Sequence, residues 1–142
     1  MEQSGIDGRR ILVVEDDSSA RESITLLLRI DRHVVTGAMN GREAIDLVSR
    51  QPFDLVVLDF VMSGMLGGEV ALKIKLIDPT LPILMVTAYL EKLDDSDKPV
   101  EVVLGQPFAV DELRGAMAKL FSSQITTNVQ ACQTIGQSET QK

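Results

Sequence analysis

The chain has 142 residues, a length that can bury one proper core, with 44% hydrophobic, 25% charged and only 4% aromatic residues. Its formal charge of −7 repels phosphate backbones and argues against direct binding of nucleic acid. Cys132 is the only cysteine, which excludes an intrachain disulfide and fits a reducing compartment.

Met1–Gly8 is polar and reads as a flexible leader, since no apolar core follows a basic start as a signal peptide would require. Arg10–Val14 is predicted as the first strand. Its run Ile11–Val14 has no polar alternation, as expected of a strand covered on both faces in a parallel sheet, and it leads directly into Glu15, Asp16 and Asp17. Ser18–Ile30 follows as a helix, with Ala20, Ile24, Leu27 and Leu28 on one face. His33–Thr36 is a short second strand. Asn40 then caps a helix to about Arg50, whose apolar face is Ala44, Ile45, Leu47 and Val48. Asp54–Asp59 is the third strand, and its run Leu55–Leu58 ends directly at Asp59.

Ser63–Gly68 contains three glycines and is predicted as a loop. Glu69–Ile77 is the third helix, stopped by Asp78 and Pro79, and Pro82–Val86 is a buried fourth strand ending at Thr87 and Ala88. The longest apolar stretch, Leu81–Leu90, is interrupted by Pro82 and Thr87 and is too short to span a bilayer, so a cytoplasmic domain without membrane contact is expected. Glu91–Pro99 carries charges at Glu91, Lys92, Asp94, Asp95, Asp97 and Lys98, so any fourth helix there is short or loose. Val100–Leu104 is a fifth strand, and Val110–Phe121 a last helix built on Leu113, Met117, Leu120 and Phe121.

These elements divide the chain into a leader at 1–8, a domain at 9–122 and a polar tail at 123–142. From Ser122 onward the composition turns to Ser, Thr and Gln, with two charges in 21 residues, which reads as disorder. The spacing of Ile125, Val129 and Cys132 leaves open an extension of the last helix as a face for a partner.

Strand and helix alternate five times, which implies right-handed β-α-β units in a three-layer α/β sandwich with about five helices. A flavodoxin-like parallel sheet of order 2-1-3-4-5 sets the first and third strands side by side. Ligand chemistry in such sheets collects beyond the carboxyl ends of the strands. Asp59 is therefore expected beside Glu15 and Asp16, in an acidic pocket suited to a hard divalent cation.

The segments ILVVEDDSSAR at 11–21, DLVVLDFVMSGMLGGE at 54–69, PILMVTA at 82–88 and QPF at 106–108 resemble the receiver domain of two-component response regulators. The resemblance covers Arg10 to about Phe121. It implies that Asp59 accepts a phosphoryl group from a phosphohistidine on a sensor histidine kinase or phosphotransfer protein. It also implies that Glu15, Asp16, Asp59 and the backbone carbonyl of Val61 hold Mg²⁺. Asp17, one residue further on, is expected to face solvent or cap the first helix. Thr87 would hydrogen-bond a phosphoryl oxygen and draw the following loop inward as a switch. The signal would pass to a downstream protein target, and a homodimer through the fourth helix, fifth strand and last helix stays open.

The chain departs from the family's pattern at several places, and its segment between Thr87 and Gln106 is shorter than usual for the family. Gln106 stands where the family carries a Lys before Pro-Phe, keeping a donor but losing the charge. Val103 replaces the usual Tyr or Phe and has no ring to swing inward. Ser63 replaces a Pro often found in the glycine loop. The leading expectation is a phosphoacceptor, signalling through protein contacts or draining a kinase as a phosphate sink, rather than an enzyme with turnover. The alternative is a pseudo-receiver that docks without phosphate. Clustered carboxylates count against it, since they repel one another without a cation. A Mg²⁺-dependent phosphohydrolase would need a second catalytic acid near Asp59 and a cap. A flavin-binding domain would need a Ser/Thr-rich phosphate loop and more aromatics.

Overall fold

A computed structural model describes residues 8–60, 67–87 and 100–121. Its strands are β1 (Arg10–Val14), β2 (Val34–Ala38), β3 (Leu55–Asp59), β4 (Ile83–Thr87) and β5 (Val102–Gly105). They form one parallel sheet of order β2-β1-β3-β4-β5, as the alternation of elements predicts. The helices among the described residues are α1 (Ser18–Ile30), α2 (Gly41–Arg50), α3 (Gly67–Ile77) and α4, which covers residues 110–121.

Successive side chains of a strand point to opposite faces, and here both faces are covered. Leu12, Val14, Val56, Leu58, Ile83 and Met85 pack against Ala44 and Val48 of α2 and Val70, Ala71 and Ile74 of α3. The alternate residues Ile11, Val13, Leu55, Val57, Leu84 and Val86 pack against Ile24 and Leu28 of α1 and Leu113, Met117, Leu120 and Phe121 of α4. The unbroken apolar runs of β1, β3 and β4 follow from this double burial.

Local chemistry starts and pins the helices. The Asp17 side chain accepts the Ala20 N–H at 3.1 Å at the start of α1, and Asn40 accepts the Glu43 N–H at 2.8 Å at the start of α2. Arg114 of α4 donates to both oxygens of Asp31, the residue capping the end of α1, at 2.8 and 3.0 Å. This two-pronged pair ties together the two helices on one side of the sheet.

Several boundaries differ from expectation. β2 starts one residue later than predicted and continues to Ala38, because Leu12, Val13 and Val14 of β1 stand opposite Thr36, Gly37 and Ala38. His33 lies before the strand, buried, with Nδ1 accepting the Arg9 N–H at 3.1 Å. β5 covers Val102–Gly105 rather than Val100–Leu104.

The loop predicted at Ser63–Gly68 is corrected at its end, since Gly67 and Gly68 open α3. A Cβ on Gly67 would lie 2.6 Å from the Asp59 carbonyl oxygen and 2.7 Å from the Phe60 Cα. The glycine is required by close backbone approach, which looks in sequence like a turn signal. Residues 1–7 of the leader, the stretch 91–99 where any fourth helix is expected to be short or loose, and the tail lie outside the described residues.

Candidate functional site

Val14 of β1 stands opposite Leu58 of β3, so the next residue of each strand, Glu15 and Asp59, emerges at the same level of the sheet. One carboxylate oxygen from each of Glu15, Asp16 and Asp59 lies within 4.8 Å of the others. Their surroundings differ. Glu15 is buried at 4% exposure, Asp59 is half-buried and Asp16 is exposed. The cluster is thus anchored at one end in the core and open to solvent at the other.

Glu15 is held on every side. Its N–H donates to the Ala38 carbonyl at 3.0 Å, its carboxylate accepts the Asp17 N–H at 3.2 Å, and its carbonyl accepts Nη1 of Arg21 at 2.8 Å. Burial pushes the Glu15 carboxyl up to about 7. The Asp17 N–H pulls the other way, while the Asp59 charge and hydrogen bonds to Asp59 and Asp16 raise it further. The cluster therefore holds one proton more readily than free carboxylates would. A divalent cation would take the place of that proton. The donors are all hard oxygens gathered within 4.8 Å of one another, and their chemistry suits a hard divalent cation such as Mg²⁺.

Thr87 closes β4, immediately after Val86, the register partner of Asp59. It is buried, at 1% exposure. Its carbonyl accepts the Gln106 N–H at 2.7 Å, and Gly105 beside Gln106 is the register partner of Thr87. Val103 stands opposite Met85 two residues earlier on each strand. The Val61 carbonyl lies outside the described residues. Asp17 caps α1, one of the two roles expected for it.

Three features of the site have no counterpart in the sequence reading. The first is the Arg21 contact to the Glu15 carbonyl. The second is the need for a glycine at 67. The third is an apolar groove of about 430 Å³ between α1 and the β5–α4 connection, its walls including Ala20, Ile24, Leu27, Gln106, Pro107 and Phe108. Gln106 thus belongs both to the neighbourhood of Thr87 and to the wall of this groove. Partial burial of Ala20 and Leu27, which the helical spacing assigned to the inner face, follows from their place at its edge.

The response regulator receiver domain family matches residues 11–117 of this chain. Response regulator MprA of Mycolicibacterium vanbaalenii is 39% identical over 114 residues, covering 78% of this chain and 49% of that protein. MprA of Mycobacterium avium is 36% identical over 114 residues, with 78% and 50% covered. The chain spans about half the length of these curated relatives. Among solved structures, response regulator TrrA of Thermotoga maritima, in complex with Mg²⁺ and BeF, is 33% identical with a TM-score of 0.75, covering 79% of this chain and 98% of that one. A CheY-like receiver domain of Methanospirillum hungatei shares the fold at 20% identity and a TM-score of 0.78, with 85% and 99% covered. The chain belongs to the response regulator receiver domain family of two-component signalling. Among the described residues no helix is long and apolar enough to cross a membrane.

Proposed function

We propose that Asp59 of this receiver accepts a phosphoryl group from a phosphohistidine on a sensor histidine kinase or phosphotransfer protein. The N–P bond of the donor breaks and an O–P bond forms to an Asp59 carboxylate oxygen. The observation that carries this reading is the convergence of Glu15, Asp16 and Asp59 at the ends of two adjacent strands. Glu15 and Asp16 would hold Mg²⁺ together with Asp59 and the Val61 carbonyl. Bound there, the ion supplies positive charge for the spread negative charge of a transferring phosphoryl group.

The chain's own groups do the rest. The Ala38, Asp17 and Arg21 contacts fix Glu15 before any partner arrives. The Thr87 hydroxyl donates to a phosphoryl oxygen on Asp59. Because the Thr87 carbonyl is bonded to Gln106, a shift of Thr87 is felt at the start of the β5–α4 connection. The groove beside Gln106 offers a partner protein an apolar seat on the wall that Gln106 shares with the neighbourhood of Thr87. Output passes by protein contact to a downstream target.

Gln106 favours a second reading. An amide at this position offers a donor without charge, so a phosphorylated Asp59 is coupled more weakly to β5 and α4. A domain that accepts phosphate and changes little would serve as a sink, and one that accepts none would be a pseudo-receiver. Intact mass after incubation with Mg²⁺ and a small acyl phosphate separates these readings. One added phosphoryl group on the parent and none on Asp59→Asn supports the phosphoacceptor. No addition to a parent that binds Mg²⁺ overturns it in favour of the pseudo-receiver.

A further inference from the structure

Two residues near the acidic cluster break local rules. Arg21 lies in the first turns of α1, where a cation opposes the positive end of the helix dipole, and the only carboxylate capping that end is Asp17. Gly37 sits inside β2, where glycine forgoes side-chain packing and loses more chain entropy than any other residue. Such exceptions gather where function sets the requirement.

One contact joins the two. The Arg21 side chain runs across β2 at Gly37, and a Cβ there would stand 3.3 Å from its Cδ, 3.6 Å from Nε and 3.7 Å from Cγ. Gly37 is opposite Val13, two residues before Glu15. Passing over the glycine, the guanidinium reaches back along the chain and donates Nη1 to the Glu15 carbonyl at 2.8 Å. The Arg21 N–H is bonded to the Asp17 carbonyl at 2.9 Å, so the residue that reaches back is fixed to the loop it supports.

The oxygen it holds belongs to the peptide joining Glu15 to Asp16. Fixing that peptide plane fixes the directions in which both side chains leave the backbone. It also sets a permanent cation next to a segment where two carboxylates stand close to a third. We infer that Arg21 is a positioning residue for the divalent-cation site, with Gly37 as the gap that lets it reach. Arg21 touches no reacting atom; it acts through the Glu15–Asp16 peptide. The inference rests on the reading of the cluster as a Mg²⁺ site, and goes beyond it by assigning residues that are not themselves ligands.

The test compares the parent with Arg21→Gln, Arg21→Lys and Gly37→Ala, measuring Mg²⁺ affinity by calorimetry, cation-free thermal stability, and the amide shifts of Asp16 and Asp17. Groups that orient metal ligands change affinity by about 10–100-fold when removed, so Arg21→Gln is expected to bind Mg²⁺ about tenfold more weakly. Arg21→Lys, which can still reach with one donor, should recover part of the loss. Gly37→Ala keeps the arginine and crowds its path, so it should weaken binding while the cation-free fold still melts cooperatively. Asp16 and Asp17 amide shifts should move in all three variants before any ion is added. Parent-like Mg²⁺ affinity in folded Arg21→Gln overturns the positioning role and leaves the cation site standing, while parent-like affinity in Gly37→Ala alone overturns the gap assigned to Gly37. A parent that binds no Mg²⁺ overturns the cation site and the positioning role with it.

Discussion

The backbone N–H of Gln106 donates to the carbonyl oxygen of Thr87 at 2.7 Å, joining the end of β4 to the first residue after β5. In the proposed reading these two positions, at the ends of β4 and β5, would meet a phosphoryl group on Asp59 from the β4–β5 side. The connection between them is already made by backbone; what Gln106 lacks is the charge to draw its side chain toward the phosphate. Any relay through this bond depends on Thr87 moving, with no ammonium to add a second pull.

Gln106→Lys restores that pull. Phosphorylation of this variant is expected to move the amide resonances of residues 102–121 further than phosphorylation of the parent does. Equal responses in the two proteins would place the loss of coupling elsewhere, with Val103 the next position to change.

The raised Glu15 carboxyl sets a pH dependence. Its ordinary value is 4.5 and the fold lifts it to about 7, so the fold favours the protonated form. That contribution to stability is complete below about pH 4.5 and is lost as pH rises through about 7. Without cation, the urea midpoint should therefore fall between about pH 5 and pH 8 more steeply in the parent than in Glu15→Gln. Mg²⁺ binds the carboxylate form, so its affinity should rise over the same interval, with proton release on binding at the acid end. Parallel midpoint curves for parent and Glu15→Gln would remove Glu15 as the source.

Asp16 is the exposed member of the cluster, and its removal should separate cation binding from folding. Asp16→Asn keeps an oxygen but subtracts a charge, and affinity for a hard cation follows the charge count of its ligands. Mg²⁺ binding is expected to weaken about tenfold or more, with melting of the cation-free protein unchanged or slightly raised by relief of repulsion. A calorimetric titration matching the parent would take Asp16 out of the site.

What the sequence displays of this fold follows from what burial does to composition. β1, β3 and β4 are covered on both faces and so appear as unbroken apolar runs, and carboxylates placed directly after two of those runs announce the cluster. β2 is an edge strand whose last residues, Thr36, Gly37 and Ala38, owe their conformation to pairing with β1 rather than to their own propensity. Its composition therefore ends the predicted strand at Thr36, two residues before the pairing does. The pairing of Arg21 with Gly37 joins a helix to a strand 16 positions away, and no periodicity records it. Gly67 shows the same limit, since a glycine needed for close approach has the spelling of a glycine needed for a turn.

Two glycine substitutions make that last distinction measurable. Gly67→Ala would set a Cβ 2.6 Å from the Asp59 carbonyl and 3.0 Å from the Phe60 carbonyl, both backbone atoms that cannot swing aside. The start of α3 must shift, and the Gly67 N–H bond to the Phe60 carbonyl at 2.7 Å must lengthen or break. The expected cost is about 1–3 kcal/mol, with weaker Mg²⁺ binding because the backbone at Asp59 is displaced. Gly115, inside α4, meets nothing within 4 Å at its Cβ position. Gly115→Ala should instead stabilise by about 0.5–1 kcal/mol through the lower chain entropy of the unfolded state, and leave Mg²⁺ affinity as it is. Denaturant melts of the two variants, run with and without Mg²⁺, should move in opposite directions. A neutral Gly67→Ala would mean that α3 can retreat from Asp59 freely, and that the helix does not hold the acceptor strand in place.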